Sequence, residues 1–112
     1  MENKFKVLNQ IEFNGVQYPF AVSVWGLEQL ESVTGKDLVE LSTSNSITVT
    51  KKKLEFGIIS GLKNLKKNDQ VKDITDELID EMLIGIDGLM GDVIYTYSIA
   101  FGKFYNVQAE GN

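Results

Sequence analysis

Residues 5–22 read FKVLNQIEFNGVQYPFAV. Phe5, Val7, Ile11 and Phe13 alternate with other residues before Asn14-Gly15, and Val16, Tyr18, Phe20 and Val22 alternate after it. Asn-Gly between two such runs signals a β-hairpin, because a type I′ turn needs positive φ at both central residues. A two-residue turn also fixes the register. Phe13 faces Val16, Ile11 faces Tyr18 and Val7 faces Val22, all on one side, with Asn9 opposite Phe20 as the polar exception. Pro19 falls opposite Gln10 in a pair that exchanges no backbone hydrogen bonds. Its missing N–H therefore points away from the partner strand, and the outer edge of the second strand is expected to be free there. The hairpin is placed over residues 4–23.

Downstream the period changes from two to that of a helix. A first helix fits Trp25–Val33, with Leu27 and Leu30 inward, Glu28 and Glu31 outward, and Gly35 as its stop. Lys36–Leu41 offers one further turn. A second helix fits Lys51–Lys67, where Leu54, Ile58, Leu62 and Leu65 form one stripe and Thr50 or Thr48 could cap it. Ser46–Thr50 alternates and is rich in β-branched residues, so a short third strand is the alternative there. A third helix fits Asp76–Ile86, capped by Thr75, with Asp76 and Glu77 in its acidic first turn. A fourth fits Leu89–Tyr105, capped by Asp87. The expected fold class is α+β: an N-terminal hairpin and a small bundle of about four helices. One domain spans 1–112, its helical part over 24–106.

Composition narrows the chemistry. The 112 residues contain no cysteine, no histidine and no arginine, and all eleven cations are lysines. Disulfides and thiolate metal sites are excluded, and the commonest general base and metal ligand is missing. A Ser–Lys pair remains open as a nucleophile, but no motif points to one. A net charge of −5 argues against nucleic acid as a partner. No window approaches the ~18 apolar residues of a membrane span, and the start MENKFKVLNQ carries no signal-peptide pattern. No catalytic residue, cofactor or metal ligand is expected.

Three clusters remain. Asp73, Asp76, Glu77, Asp80 and Glu81 share a helical face, which reads better as an acidic outer surface than as a divalent-ion site; no calcium-loop spacing occurs. Gly85, Gly88 and Gly91 match no phosphate-binding motif and read as a break between two helices. Residues 51–72 hold seven lysines against Glu55 and Asp69, a net of +5, whereas residues 73–92 hold seven acids and no lysine. Such segments can attract each other within the chain, the preferred reading, or pair head-to-tail as a homo-oligomer. The last helix carries surplus apolar surface. Its nine innermost apolar residues span an arc of about 160°, with Tyr95 and Ile99 outside it, where a surface helix needs little more than ~100°. That surplus fits either a helix packed on two sides or a surface for a partner or another copy.

The order of these features resembles the small tail assembly chaperones of long-tailed, siphovirus-type bacteriophages and prophages. The resemblance is carried by Ile11–Phe20 (IEFNGVQYPF), Leu27–Leu38 (LEQLESVTGKDL), the apolar helix from Leu54 to Leu62, Ile74–Leu83 (ITDELIDEML) and Ala100–Lys103 (AFGK), nearly the whole chain. It implies a non-enzymatic protein of the host bacterial cytoplasm that binds the tape measure protein before the tail tube polymerises. It further implies recruitment of tail tube protein, absence from the mature virion and a gene often paired with a frameshifted longer product. The alternative is a structural head–tail connector or tail-completion protein that stays in the virion. The client surface expected here is Phe101, Phe104 and Tyr105 with Ile94 and Tyr95. No membrane partner is expected.

Overall fold

The computed structural model describes residues 5–105. Strands β1 (Gln10–Phe13) and β2 (Val16–Pro19) pair antiparallel around Asn14-Gly15, whose φ angles of 51° and 79° are both positive. Phe13 pairs with Val16, Ile11 with Tyr18 and Gln10 with Pro19, and the Phe20 N–H extends the register to the Asn9 carbonyl at 3.0 Å. The helices are α1 (Val24–Thr34), α2 (Leu38–Thr43), α3 (Ile47–Asn64), α4 (Asp76–Gly85) and α5 (Leu89–Tyr105), with a 3-10 helix over Asn68–Asp73 between α3 and α4. The fold is α+β, a hairpin followed by helices.

The ladder is shorter than the sequence pattern implies. It stops at Asn9, and the expected pairing of Val7 with Val22 does not form. Leu8 is buried instead, while Phe5 and Val7 are half exposed. The N–H groups of this segment that point away from β2 bond to α5: that of Leu8 donates to Thr96 Oγ1 at 2.9 Å and that of Lys6 to Asp92 Oδ1 at 3.1 Å. Residues 5–9 run along α5, where the Phe5 ring lies against Gly91 and tilts onto Tyr95, centroids 6.4 Å apart.

Helix α3 is the hub, touching β2, α1, α4, α5 and the 3-10 helix. Two glycines let the hairpin reach it. A Cβ on Gly57 would stand 2.3 Å from the Phe20 ring, and one on Gly61 would stand 2.6 Å from the Pro19 carbonyl carbon. The Ala21 N–H donates to the Gly57 carbonyl at 3.0 Å. Among the described residues no third strand lies on the outer edge of β2; the body of α3 covers it instead. On its other side α3 meets α1, where Ser23 Oγ caps α1 by accepting from the Gly26 N–H and lies 2.7 Å from Ser60 Oγ.

Local chemistry sets the remaining ends. Residues 47–50 are helical, and Ser46, not Thr48 or Thr50, is the cap, accepting from the Val49 N–H. The β-branched run is overridden because a helix buries Val49 and Thr50 together with Lys53 and Leu54, while Ile47 stays exposed. Asp37 and Glu40 form a reciprocal capping box that turns the expected extra turn into α2. Thr75 caps α4 as expected. α3 ends at Asn64, before Lys67, in a Schellman closure: the Lys67 N–H reaches the Leu62 carbonyl at 2.8 Å, with Lys66 at φ 60°.

Candidate functional site

The opposite charges of residues 51–72 and 73–92 meet inside the chain. Lys51 Nζ lies 2.7 Å from Asp80 Oδ1, and Lys52 Nζ lies 3.1 Å from Glu55 and 3.9 Å from Asp76. The hydrogen bond that Lys51 donates to Asp80 raises the pKa of Lys51 above its ordinary value. The Lys51–Asp80 and Lys52–Asp76 contacts join α3 to α4 and occupy part of the acidic face. Among the described residues no group of three or more carboxylates is placed to hold a metal ion.

The five residues expected to form one client surface separate into three environments. Phe101 belongs to the core: it is 5% exposed, with its ring 6.2 Å from that of Tyr97. It lies on the inward stripe of α5 with Leu89, Val93 and Tyr97, so it cannot contact a partner while the fold is intact. Ile94 and Tyr95 are half-buried, Tyr95 under Phe5. Phe104 and Tyr105 are exposed and stack edge-on at 5.5 Å. Phe104 follows Tyr97 by seven residues and shares its face, but α5 has run past the end of the core by then.

Phe104 instead joins an apolar groove that the sequence reading missed. One hollow of about 290 Å³ lies between α1 and α5, lined by Val22, Ser23, Val24, Leu27, Ala100, Lys103 and Phe104. A second of about 270 Å³ is lined by Val7, Leu8, Val22, Thr96, Ile99, Ala100 and Lys103. Val22, Ala100 and Lys103 line both, so the two hollows form one trough across the stem of the hairpin. Val7, Val24 and Phe104 are each more than half exposed on it. Among the described residues that line it, Lys103 is the one charged side chain. Two signals pointed here: Val7 and Val22 were expected to face each other, and Ile99 fell outside the apolar arc of α5. A different hollow of about 290 Å³ beside β1 is lined by Lys6, Asn9, Gln10, Glu12 and Gln17 and offers mainly water-competing groups.

A helix could lie in such a trough, whose floor is aliphatic and whose rim carries a cation and an aromatic ring. No described helix is long and apolar enough to cross a membrane. Compared with protein-family models, curated proteins and solved structures, the chain finds no match.

Proposed function

We propose that this protein is a non-enzymatic tail assembly chaperone of a siphovirus-type phage or prophage. It holds an amphipathic segment of the tape measure protein in the trough between the hairpin stem, α1 and α5 until tube subunits assemble around that client in the host cytoplasm. The observation that carries the reading is the open apolar trough with Val24 and Phe104 exposed on its rim. Concave, mostly apolar clefts edged by a few polar groups are the usual seats for a bound partner. A net charge of −5 keeps a chain with such a surface in solution. The order of the sequence motifs supplies the identity of the client.

Co-expression with a siphovirus tape measure protein, followed by affinity capture, tests the reading. The wild type is expected to retain the client. Phe104→Asp and Val24→Asp are expected to lose it while keeping the wild-type circular dichroism and Tm. Phe101→Asp is expected to unfold the protein and serves as the core control. Capture that survives both rim substitutions removes the trough from the mechanism. Purified virions carrying the protein in stoichiometric amount would instead favour a structural connector or tail-completion protein.

A further inference from the structure

Lys53 carries a cation into the interior. Its side chain is 1% exposed, and Nζ donates to the carbonyls of Leu41 at 3.0 Å and Ser44 at 3.2 Å. Those acceptors lie at the C-terminal end of α2, where unpaired carbonyls and the negative end of the helix dipole suit a positive charge. The rings of Tyr97 and Phe101 lie 5.6 Å and 5.7 Å from Nζ. No carboxylate among the described residues pairs with it. On α3, its neighbours Lys51 and Lys52 take Asp80, Glu55 and Asp76. On α2, Asp37 and Glu40 are exposed and engaged with each other's backbone at the opposite end of the helix. From α5 the only titratable group facing it is Tyr97, whose hydroxyl donates to the Lys53 carbonyl at 2.8 Å. Tyr97 is held protonated by burial, its pKa raised.

An ammonium withdrawn from water without a counter-ion is costly, and two carbonyls and two ring faces offset only part of that cost. The element supplying the carbonyls is six residues long and has one fully buried side chain, Leu41. Short elements with few buried contacts open locally at far lower cost than the core. We propose that α2 is a lid that lifts from the body by local opening, hydrating the Lys53 ammonium and uncovering the aromatic face of α5 at Tyr97 and Phe101, with the charge on Lys53 driving the opening. Phe101, closed away from partners in the folded body, is then presented only when the lid is up.

The sign of the pH dependence follows from burial. Desolvation lowers Lys53 from 10.5 to about 8 with the lid shut, whereas an open lid restores the ordinary value. Below pH 8 both states are charged and the shut state bears the penalty. As pH rises from 8 towards 10.5 the shut state sheds its proton first, so closure is increasingly favoured. Those two values give an opening constant about tenfold smaller at pH 9 than at pH 7.

Amide hydrogen exchange on the full chain, read by NMR at pH 7 and pH 9, tests this. The Leu41 and Ser44 amides, bonded to the Asp37 and Glu40 carbonyls, report the lid; those of Ile58 and Leu62 report global opening. At pH 7 the lid amides should be protected far less than those of α3, and their protection factors, taken against the intrinsic exchange rate at each pH, should rise about tenfold by pH 9. Lys53→Met should remove the pH dependence and protect the lid at both values. Lys53→Arg, charged throughout, should leave the lid weakly protected at both. Lid amides that exchange only with the core, or a tenfold rise that persists in either variant, would overturn the proposal.

Discussion

Placing one methyl group on Gly61 tests the packing on which the whole arrangement rests. In an unobstructed helix interior, Gly→Ala stabilises by about 1 kcal/mol. Here the new Cβ would stand 2.6 Å from the Pro19 carbonyl carbon and 2.8 Å from the Phe20 nitrogen, where carbon contacts are comfortable only at about 3.5–4.0 Å. The hairpin would have to retreat by about 1 Å. It is pinned beside the contact by the Ala21–Gly57 hydrogen bond of 3.0 Å. Overpacking costs about 1–3 kcal/mol, and a broken buried hydrogen bond costs a similar amount. Against the helical gain, the expected net loss is about 2 kcal/mol, or roughly 8 °C in Tm for a domain of this size. Gly57→Ala provides the contrast, because the atoms nearest its Cβ are Phe20 ring carbons, at 2.3 Å, 2.4 Å and 2.9 Å. Phe20→Leu deletes the two nearest of them. Urea titration followed by circular dichroism, run as two double-mutant cycles, should show Phe20→Leu recovering about 1 kcal/mol or more of the Gly57→Ala loss and little of the Gly61→Ala loss. A Gly61→Ala protein as stable as the wild type, or one rescued by Phe20→Leu, would refute the claim that backbone contact sets how closely the hairpin docks.

Two further substitutions should stabilise the protein. Thr50 is fully buried and its Oγ1 has no hydrogen-bond partner, so Thr50→Val should raise stability by about 1 kcal/mol in the same urea assay; a loss would mean that the hydroxyl is satisfied. Lys66 closes α3 at φ 60°, a conformation in which glycine avoids the Cβ penalty. Lys66→Gly should add about 1 kcal/mol while Lys66→Ala adds nothing, and equal effects would trace any gain to the lost charge instead of the backbone.

The parts legible in the sequence are those governed by neighbours in the chain. Asn14-Gly15 dictates turn and register at once, and the observed pairs from Phe13–Val16 to Gln10–Pro19 follow from it. Thr75 capping α4 and the span of α5 are equally local. Extrapolating the hairpin to Val7 and Val22 fails where this segment meets α5, whose Thr96 and Asp92, almost ninety positions away, bond the N–H groups of Leu8 and Lys6 that face away from β2. Ser46–Thr50 reads as strand by propensity and folds as helix because α3 must bury Val49 and Thr50. The trough was the least legible feature. Its walls come from residues near 7, 22–27 and 99–104, and no pattern within one segment shows that these meet. The apolar arc of α5 signalled surplus surface without telling which part is covered, so Phe101 and Phe104 looked equivalent although one is core and the other rim.

The charge pattern bears on how a partner is held. Part of the basic start of α3 is spent on α4, through Lys51–Asp80 and Lys52–Asp76, so those charges are compensated within one chain. The trough lies on the other elements, at the hairpin stem and the end of α5, and Lys103 is the single charge among the described residues that line it. A partner seated there gains chiefly by burying aliphatic and aromatic surface, a contribution that salt screens little. Head-to-tail association through the opposite charges would weaken steeply with ionic strength, since exposed ion pairs are screened within a Debye length. Capture of the client that holds as salt is raised therefore places the contact in the trough, and loss under the same conditions places it on the charged faces of α3 and α4.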